Sequence, residues 1–391
     1  MRQAARAPRM IRTTASPGSE SPFPPSQALA GALEAWFPRV QRDLPWRRER
    51  SGYSALVSEV MLQQTQVSRV VPAFERFVRA FPGPQALADA SEESVLAAWQ
   101  GLGYYRRARL LQRAARAICD RHGGQVPRSA VDLAALPGIG RYTAGAIASI
   151  AFGERTPIVD GNVLRVTLRV AGRAGRTGAA VDERWAWQQA EALVGAADDP
   201  AILNEALMEL GATVCTPRAP RCGECPWASC CKARESGTQE SIPAPRVAAS
   251  RKVIRCVALV ALTADGVLLE ERPASGLWAG MFQPPTLEGS DHAADEELVA
   301  QWGIAPAEVD RFTHVTSHRS VEFSVRMAPE GWAPPVRGGW RSVPADRLAE
   351  LPLSNAAWRA LSVLGAGISP PPSAQRIRRG PRARRRGPSD S

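Results

Sequence analysis

Apolar residues in the first half of the chain recur at helical spacing. Val67, Val70, Val71, Phe74 and Phe77 fall on one stripe, and Val95, Ala98 and Trp99 on another, with charged residues between them. Breaks such as Phe81-Pro82-Gly83-Pro84 and Gly123-Gly124 divide these stripes into separate helices. Residues 27–234 therefore read as an all-α domain, with helices expected over 130–136 and 142–151 among others. A polar, Pro-containing stretch at 235–250 reads as a linker, and the pattern then changes. Residues 253–262 are rich in β-branched and aliphatic side chains, Asp265-Gly266 offers a tight turn, and Val267-Leu268-Leu269 resumes the apolar run, which is a hairpin signature. Further strands are expected at 321–327 and Trp340–Val343, and helices at Asp295–Trp302 and 356–364. Residues 251–368 thus read as an α+β domain. Residues 1–26 and 369–391 are expected to be a disordered leader and a disordered basic tail.

Composition narrows the class of partner. With 391 residues, 45% of them hydrophobic, the chain can bury two cores. The net charge of +11 and pI near 10.0 favour a polyanion such as nucleic acid, because basic groups that neutralise phosphates release condensed counterions. Seven arginines between Arg376 and Arg386 inflate that total, yet the remainder is still positive. No apolar run approaches the ~20 residues that span a bilayer. Of the seven cysteines, five crowd between Cys215 and Cys231, which points to a metal site before disulfides.

Three motifs carry candidate chemistry. The first is Cys215-x6-Cys222-x2-Cys225-x5-Cys231, four thiolates able to wrap a compact cation or cluster. Cys230 makes the fourth ligand ambiguous, and the spacing selects Cys231. Zinc ribbons usually present two C-x2-C pairs, and here there is one. The second is Leu136-Pro137-Gly138-Ile139-Gly140 before Arg141-Tyr142-Thr143, a turn between helices that can aim backbone N–H groups at a phosphate. Val159-Asp160-Gly161-Asn162 follows about twenty residues later. The third is Ser58-Glu59-Val60-Met61-Leu62-Gln63-Gln64-Thr65-Gln66, preceded by Leu44-Pro45-Trp46-Arg47. A helical glutamate is usually a surface carboxylate, but three nearby glutamines suit the reading of base edges.

The 6-2-5 cysteine spacing, the helix–hairpin–helix turn and their order resemble the endonuclease III superfamily of DNA glycosylases. The glutamine-rich segment and Gly101-Leu102-Gly103-Tyr104-Tyr105 are similar to its adenine-specific branch. Residues 252–368, with Ser275-Gly276-Leu277-Trp278-Ala279-Gly280, resemble that branch's Nudix-like domain, and the likeness extends from about residue 27 to 368. It implies a multidomain protein: an all-α helix–hairpin–helix glycosylase domain with a [4Fe–4S] cluster loop, then an α+β Nudix-like lesion-recognition domain. It implies monofunctional hydrolysis of the N-glycosidic bond of adenine mispaired with 8-oxoguanine or guanine, leaving an abasic site. Paired carboxylates in unlike environments suit that reaction: Glu59 as the acid that protonates the base and then activates water, Asp160 as the carboxylate beneath the sugar. Related lyases carry an attacking lysine where this chain has Tyr142, and a phenol cannot form a Schiff base. Asn162 is expected to support Asp160.

Arg47, Leu62 and Glu205 are expected to line the adenine pocket, although Glu205 also reads as a plain surface carboxylate. Gln64, Thr65 and Tyr104 are expected beside the opposite lesion, and Gly138 and Gly140 against the DNA backbone. Cys215, Cys222, Cys225 and Cys231 are the implied ligands of the [4Fe–4S] cluster. For lesion reading the likeness implies Ser317 and His318, with Thr316 standing where an aromatic is usual. Asp295-Glu296-Glu297 lacks the spacing of a pyrophosphohydrolase magnesium box, so this domain is expected to recognise rather than hydrolyse. The implied partner is double-stranded DNA carrying adenine opposite 8-oxoguanine or guanine. A monomer with no membrane contact is expected, placed in the cytoplasm on the nucleoid if the source is bacterial. A lyase acting on oxidised pyrimidines, a non-catalytic iron–sulfur DNA-binding protein and a nucleotide pyrophosphohydrolase are the competing readings.

Overall fold

The stripe in the helix Val67–Ala80 buries Val70, Ala73, Phe74 and Phe77 while its polar face stays exposed. Phe77 meets Phe81 and Trp99 edge to face, with ring centroids 4.9 and 5.8 Å away. The structure is a computed structural model that describes residues 23–244, 250–289, 295–316, 318–335, 338–365 and 368. Helices Gly52–Leu62, Val67–Ala80 and Arg106–His122 enclose one core, and helices Ser26–Val40, Gly161–Ala171, Ala180–Ala196 and Pro200–Glu209 a second. The helix Arg141–Phe152 lies between them, giving Ala144, Ile147 and Ala148 to the first core and Ala146 to the second. The expected helix at 130–136 stops at Ala134, and the turn before Arg141 holds Gly138 at φ +80°. A Cβ on Gly138 would fall 2.7 Å from Leu110 Cβ, so both conformation and space demand glycine here.

The ends of this domain differ from the expected bounds. Phe23 lies within the expected leader, yet it is buried edge-on against Trp185. The expected linker also begins inside the domain, because Ile242 is buried beside Leu164 and Leu168 and its carbonyl accepts Arg169 Nε at 2.7 Å.

The second half forms two sheets from β1 (Lys252–Val260), β2 (Leu262–Thr263), β3 (Gly266–Glu271), β4 (Phe282–Gln283), β5 (Thr286–Glu288), β6 (Glu308–Val315), β7 (Arg319–Met327) and β8 (Trp340–Val343). One sheet runs β5-β1-β7-β6, with β1 and β7 parallel; the other runs β2-β3-β4, with β8 also paired to β3. The expected hairpin is present, with Leu262 opposite Val267. The helix Asn355–Leu361 sends Ala357, Trp358 and Leu361 into a core shared with Val260, Val267, Leu269 and Val325.

The two domains share apolar contacts. Met281 leaves the loop before β4 and is fully buried among the first domain's core residues. Trp278 packs against that core and against Val321 and Phe323 of its own sheet. The Gln100 amide donates to the Leu351 carbonyl and the Arg109 guanidinium to that of Ala279, and Arg341 pairs with Glu93 at 3.2 Å.

Candidate active site

The helix Gly52–Leu62 begins at Ser51, whose hydroxyl accepts the Ser54 N–H at 3.0 Å, and every residue from Ser54 to Met61 is buried. A carboxylate inside so enclosed a helix is costly unless it stays protonated or finds partners. Glu59 does both. Burial pushes its pKa from the usual 4.5 up to about 7; the neighbouring Tyr142 hydroxyl draws it down, Asp160 and Glu205 push it up, and Arg47 draws it down. Near neutral pH this carboxyl is therefore poised between acid and base. It is not the surface group that helical context suggested.

Tyr142 lies in the first turn of the helix Arg141–Phe152. Burial, then the charges of Glu59 and Asp160, hold its pKa well above 10, so the phenol is neutral. Its oxygen also lies 3.0 Å from Met208 Sδ, a weaker acceptor than a carboxylate. Asp160 caps the helix Gly161–Ala171: Oδ1 accepts the N–H groups of Asn162 and Val163 at 2.8 and 2.7 Å, and Oδ2 accepts Asn162 Nδ2 at 2.8 Å. A carboxylate so held at a helix N-terminus is fixed in place, its charge favoured by the helix dipole. About a hundred residues apart in sequence, Glu59 and Asp160 thus act on the same phenol.

Glu205 is likewise buried rather than superficial, only 3% exposed. Its Oε1 accepts Arg47 Nε at 2.9 Å, and its Oε2 faces Arg50 Nη2 at 2.7 Å. Arg47 also donates to the Arg42 carbonyl at 3.0 Å and to Glu209 at 2.9 Å, and Arg42 grips Glu209 at 2.6 Å. Glu209, Arg42 and Arg50 escaped sequence reading, since nothing local marks residues that meet across some 160 positions. Leu62 is half-buried against the first core. Gln64 and Tyr104 are exposed, and both adopt left-handed backbone, at φ +57° and +49°. The Thr65 hydroxyl lies between these segments, 3.4 Å from the Leu102 carbonyl. Around Gly140 a Cβ would meet nothing within 4 Å, so this helix N-terminus is open to an approaching group.

Cys215, Cys222, Cys225 and Cys231 line one small, largely apolar pocket. Burial raises the Cys225 thiol to about 12, and Cys215, Cys231 and Cys222 add to that rise. Among the described residues no three His, Cys, Asp or Glu are placed to hold a metal ion. Four cysteines that line one pocket without converging on a point suit a polynuclear cluster better than a single tetrahedral ion, whose sulfurs lie about 2.3 Å from it. Two buried guanidiniums add to that fit. Arg169 donates to Cys215 Sγ at 3.4 Å and to the carbonyls of Thr216 and Pro217; Arg165 donates to the Cys215 carbonyl at 2.8 Å. Arg165 Nη2 also bonds Asn162 Oδ1 at 2.9 Å, so an unbroken chain of contacts joins Asp160 to the cysteine loop. Gly211 permits this approach, as a Cβ there would lie 2.6 Å from Asn162 Cβ. Arg221 is committed to Glu224 and the Thr213 carbonyl, whereas Arg218 is exposed.

In the second domain, His318 is exposed in the turn between β6 and β7, and Ser317 lies outside the described residues. Thr316 folds into that turn, accepting the Arg319 N–H at 3.1 Å and donating to its carbonyl at 3.2 Å. It serves the hairpin and leaves the usual aromatic position without a ring. His314 meets Trp278 edge-on at 5.5 Å.

Residues 57–188 match the family described as HhH-GPD superfamily base excision DNA repair protein. Residues 215–231 match the iron-sulfur binding domain of endonuclease III, bounded by Cys215 and Cys231, and residues 256–363 match the NUDIX domain. Over 373 residues the chain is 38% identical to the adenine DNA glycosylase of Homo sapiens, covering 78% of this chain and 68% of that protein. The Mus musculus adenine DNA glycosylase is also 38% identical, over 79% of this chain and 73% of its own length. The adenine DNA glycosylase of Mycobacterium tuberculosis (strain H37Rv) is 45% identical over 218 residues, 55% of this chain and 70% of that one.

Proposed function

From the premise that this chain belongs to the adenine DNA glycosylases of the HhH-GPD superfamily, we propose that it removes adenine lying opposite 8-oxoguanine or guanine and leaves an abasic site. It is a DNA glycosylase of base excision repair that hydrolyses N-glycosidic bonds at mismatched bases. The observation that carries the finer reading is Glu59: buried, near-neutral in pKa, beside a neutral Tyr142 and within electrostatic reach of Asp160.

An adenine swung out of the duplex meets the Glu59 carboxyl, which gives its proton to a ring nitrogen. The C1′–N9 bond then breaks, its electron pair leaving with the base. Positive charge remains on the deoxyribose, and the anchored Asp160 carboxylate stabilises it. Glu59, now ionised, takes a proton from water as the oxygen joins C1′, which restores the starting acid. Position 142 offers no amine for a Schiff base, which supports a monofunctional enzyme. Arg47 and Glu205, locked together, form the polar wall of the pocket. Gln64, Thr65 and Tyr104 are the proposed wedge beside the opposite base, and Gly138 and Gly140 the proposed backbone contact. His318 and Ser317 are the proposed lesion readers. The four cysteines are proposed to hold a [4Fe–4S] cluster, which when bound supplies anionic charge beside Arg165 and Arg169 and clamps the loop. The working unit is taken to be a monomer on duplex DNA.

The test uses duplexes with adenine opposite 8-oxoguanine, guanine or thymine, treated with alkali after incubation. Cleavage at adenine in the first two alone is expected. Glu59→Gln is expected to bind the 8-oxoguanine duplex and release no base, and normal turnover by that variant defeats the assignment of the acid.

A further inference from the structure

Arg107 is 8% exposed, and six acceptors in two separate segments lie within hydrogen-bond reach of the four N–H groups on its Nη1 and Nη2. Nη1 reaches the carbonyls of Val60, Met61 and Gln63 at 2.8, 2.8 and 2.5 Å. Nη2 reaches Thr65 Oγ1 and the carbonyls of Leu102 and Gly103 at 3.0, 3.3 and 3.1 Å. Its Cζ lies 5.4 Å from the Trp99 ring centroid and 5.4 Å from that of Tyr104. Among the described residues no carboxylate pairs with it. Burial lowers its pKa to about 10, so it remains a cation at neutral pH. A planar cation with donors on two edges can hold two chain segments at once, which lysine's point charge cannot.

What it holds is specific. Gln63 and Gly103 immediately precede Gln64 and Tyr104, the two residues in left-handed backbone. The carbonyl of each preceding residue belongs to the peptide plane about which the next φ is measured. Gripping those two carbonyls therefore fixes the planes from which both strained residues project. The Arg107 N–H adds a bond to the Tyr104 carbonyl at 2.8 Å, and the guanidinium face supports the Tyr104 ring. We infer that Arg107 is a positioning residue that pre-organises Gln64 and Tyr104 as a single wedge, so that extrusion of the target base proceeds without first ordering two loops. This rests on the wedge role proposed above for those two residues.

Base extrusion can be read apart from chemistry. In a Glu59→Gln background, 2-aminopurine replaces the target adenine opposite 8-oxoguanine, and its fluorescence is followed at saturating protein. Adding Arg107→Lys is expected to lower the fluorescence rise about fivefold or more, since small misplacements of positioning groups carry large penalties. The combined Gln64→Ala, Tyr104→Ala protein should lower it comparably. A full rise in that double variant refutes the wedge reading itself. A lowered rise there together with a full rise in Arg107→Lys overturns the inference alone. Amide hydrogen exchange of the free Arg107→Lys protein separates positioning from general stability. Faster exchange confined to residues 62–66 and 101–105 supports the inference, and faster exchange spread over the whole helical domain overturns it.

Discussion

Glu59 holds a proton at neutral pH because the folded chain excludes water from it, and that arrangement costs stability. Its pKa is about 4.5 when solvated and about 7 in the fold. The cost is absent below pH 4.5, grows as pH rises from 4.5 to 7, and is constant above, at roughly 3 kcal/mol. Replacing it by the neutral, isosteric Gln removes the cost. Urea melts of Glu59→Gln should exceed wild type by about 2–3 kcal/mol at pH 8 and by less than about 1 kcal/mol at pH 5. An equal gap at both pH values refutes this origin. The free enzyme should also excise at a plateau below pH 7 and lose about tenfold per pH unit well above it, as the acid form is depleted. Glu59 and Asp160 were legible because each lies in a local motif that the resemblance interprets. Glu209 was not legible: it meets Arg47 across 162 positions, and no local pattern marks which carboxylate a buried arginine will find.

At the scale of elements, periodicity served the helices well and the strands unevenly. In Val67–Ala80 the stripe's Val70, Phe74 and Phe77 are buried while Val67 and Val71 are half-buried at its margin, since one face of that helix meets the core and the other meets solvent. β6 escaped because its residues alternate between exposed and half-buried with charged Glu, Asp and Arg among them, while β4 and β5 are too short for any period. The helix Gly161–Ala171 carries Arg165 and Arg169 one turn apart on a surface otherwise of Val and Leu, a signal that sequence reading passed over. Both cations are buried against carbonyls and the cysteine loop, with no carboxylate partner among the described residues. Buried cations without a counter-charge are strongly destabilising. Iron removal by oxidation and chelation should therefore open residues 215–231 to protease while the strands of the second domain stay protected. Arg169→Met should bind iron more weakly, read by visible absorption, and a chelated protein that keeps its loop protected contradicts the proposed cluster.

For the whole molecule, the two-domain order and fold classes were readable from the change in hydrophobic pattern near residue 250. How the domains meet was not, because Met281 sits in a loop whose local composition says nothing of the core it enters. Met281→Ala removes a fully buried side chain, an expected loss of about 2–5 kcal/mol. The loss should appear in melting of the helical domain although the substitution lies in the other one. If docking also aligns the His318 turn with the duplex, the rate advantage for 8-oxoguanine over guanine should shrink in that variant while guanine-paired adenine is cut at close to the normal rate. Unchanged melting of the helical domain sinks the shared-core account. The Met281 contact also bears on synthesis. The first 244 residues are synthesised before Trp278 and Met281, so the nascent helical domain lacks both side chains from its final packing until the downstream domain is made. Completion of the enzyme's fold is thereby timed to the arrival of its second domain.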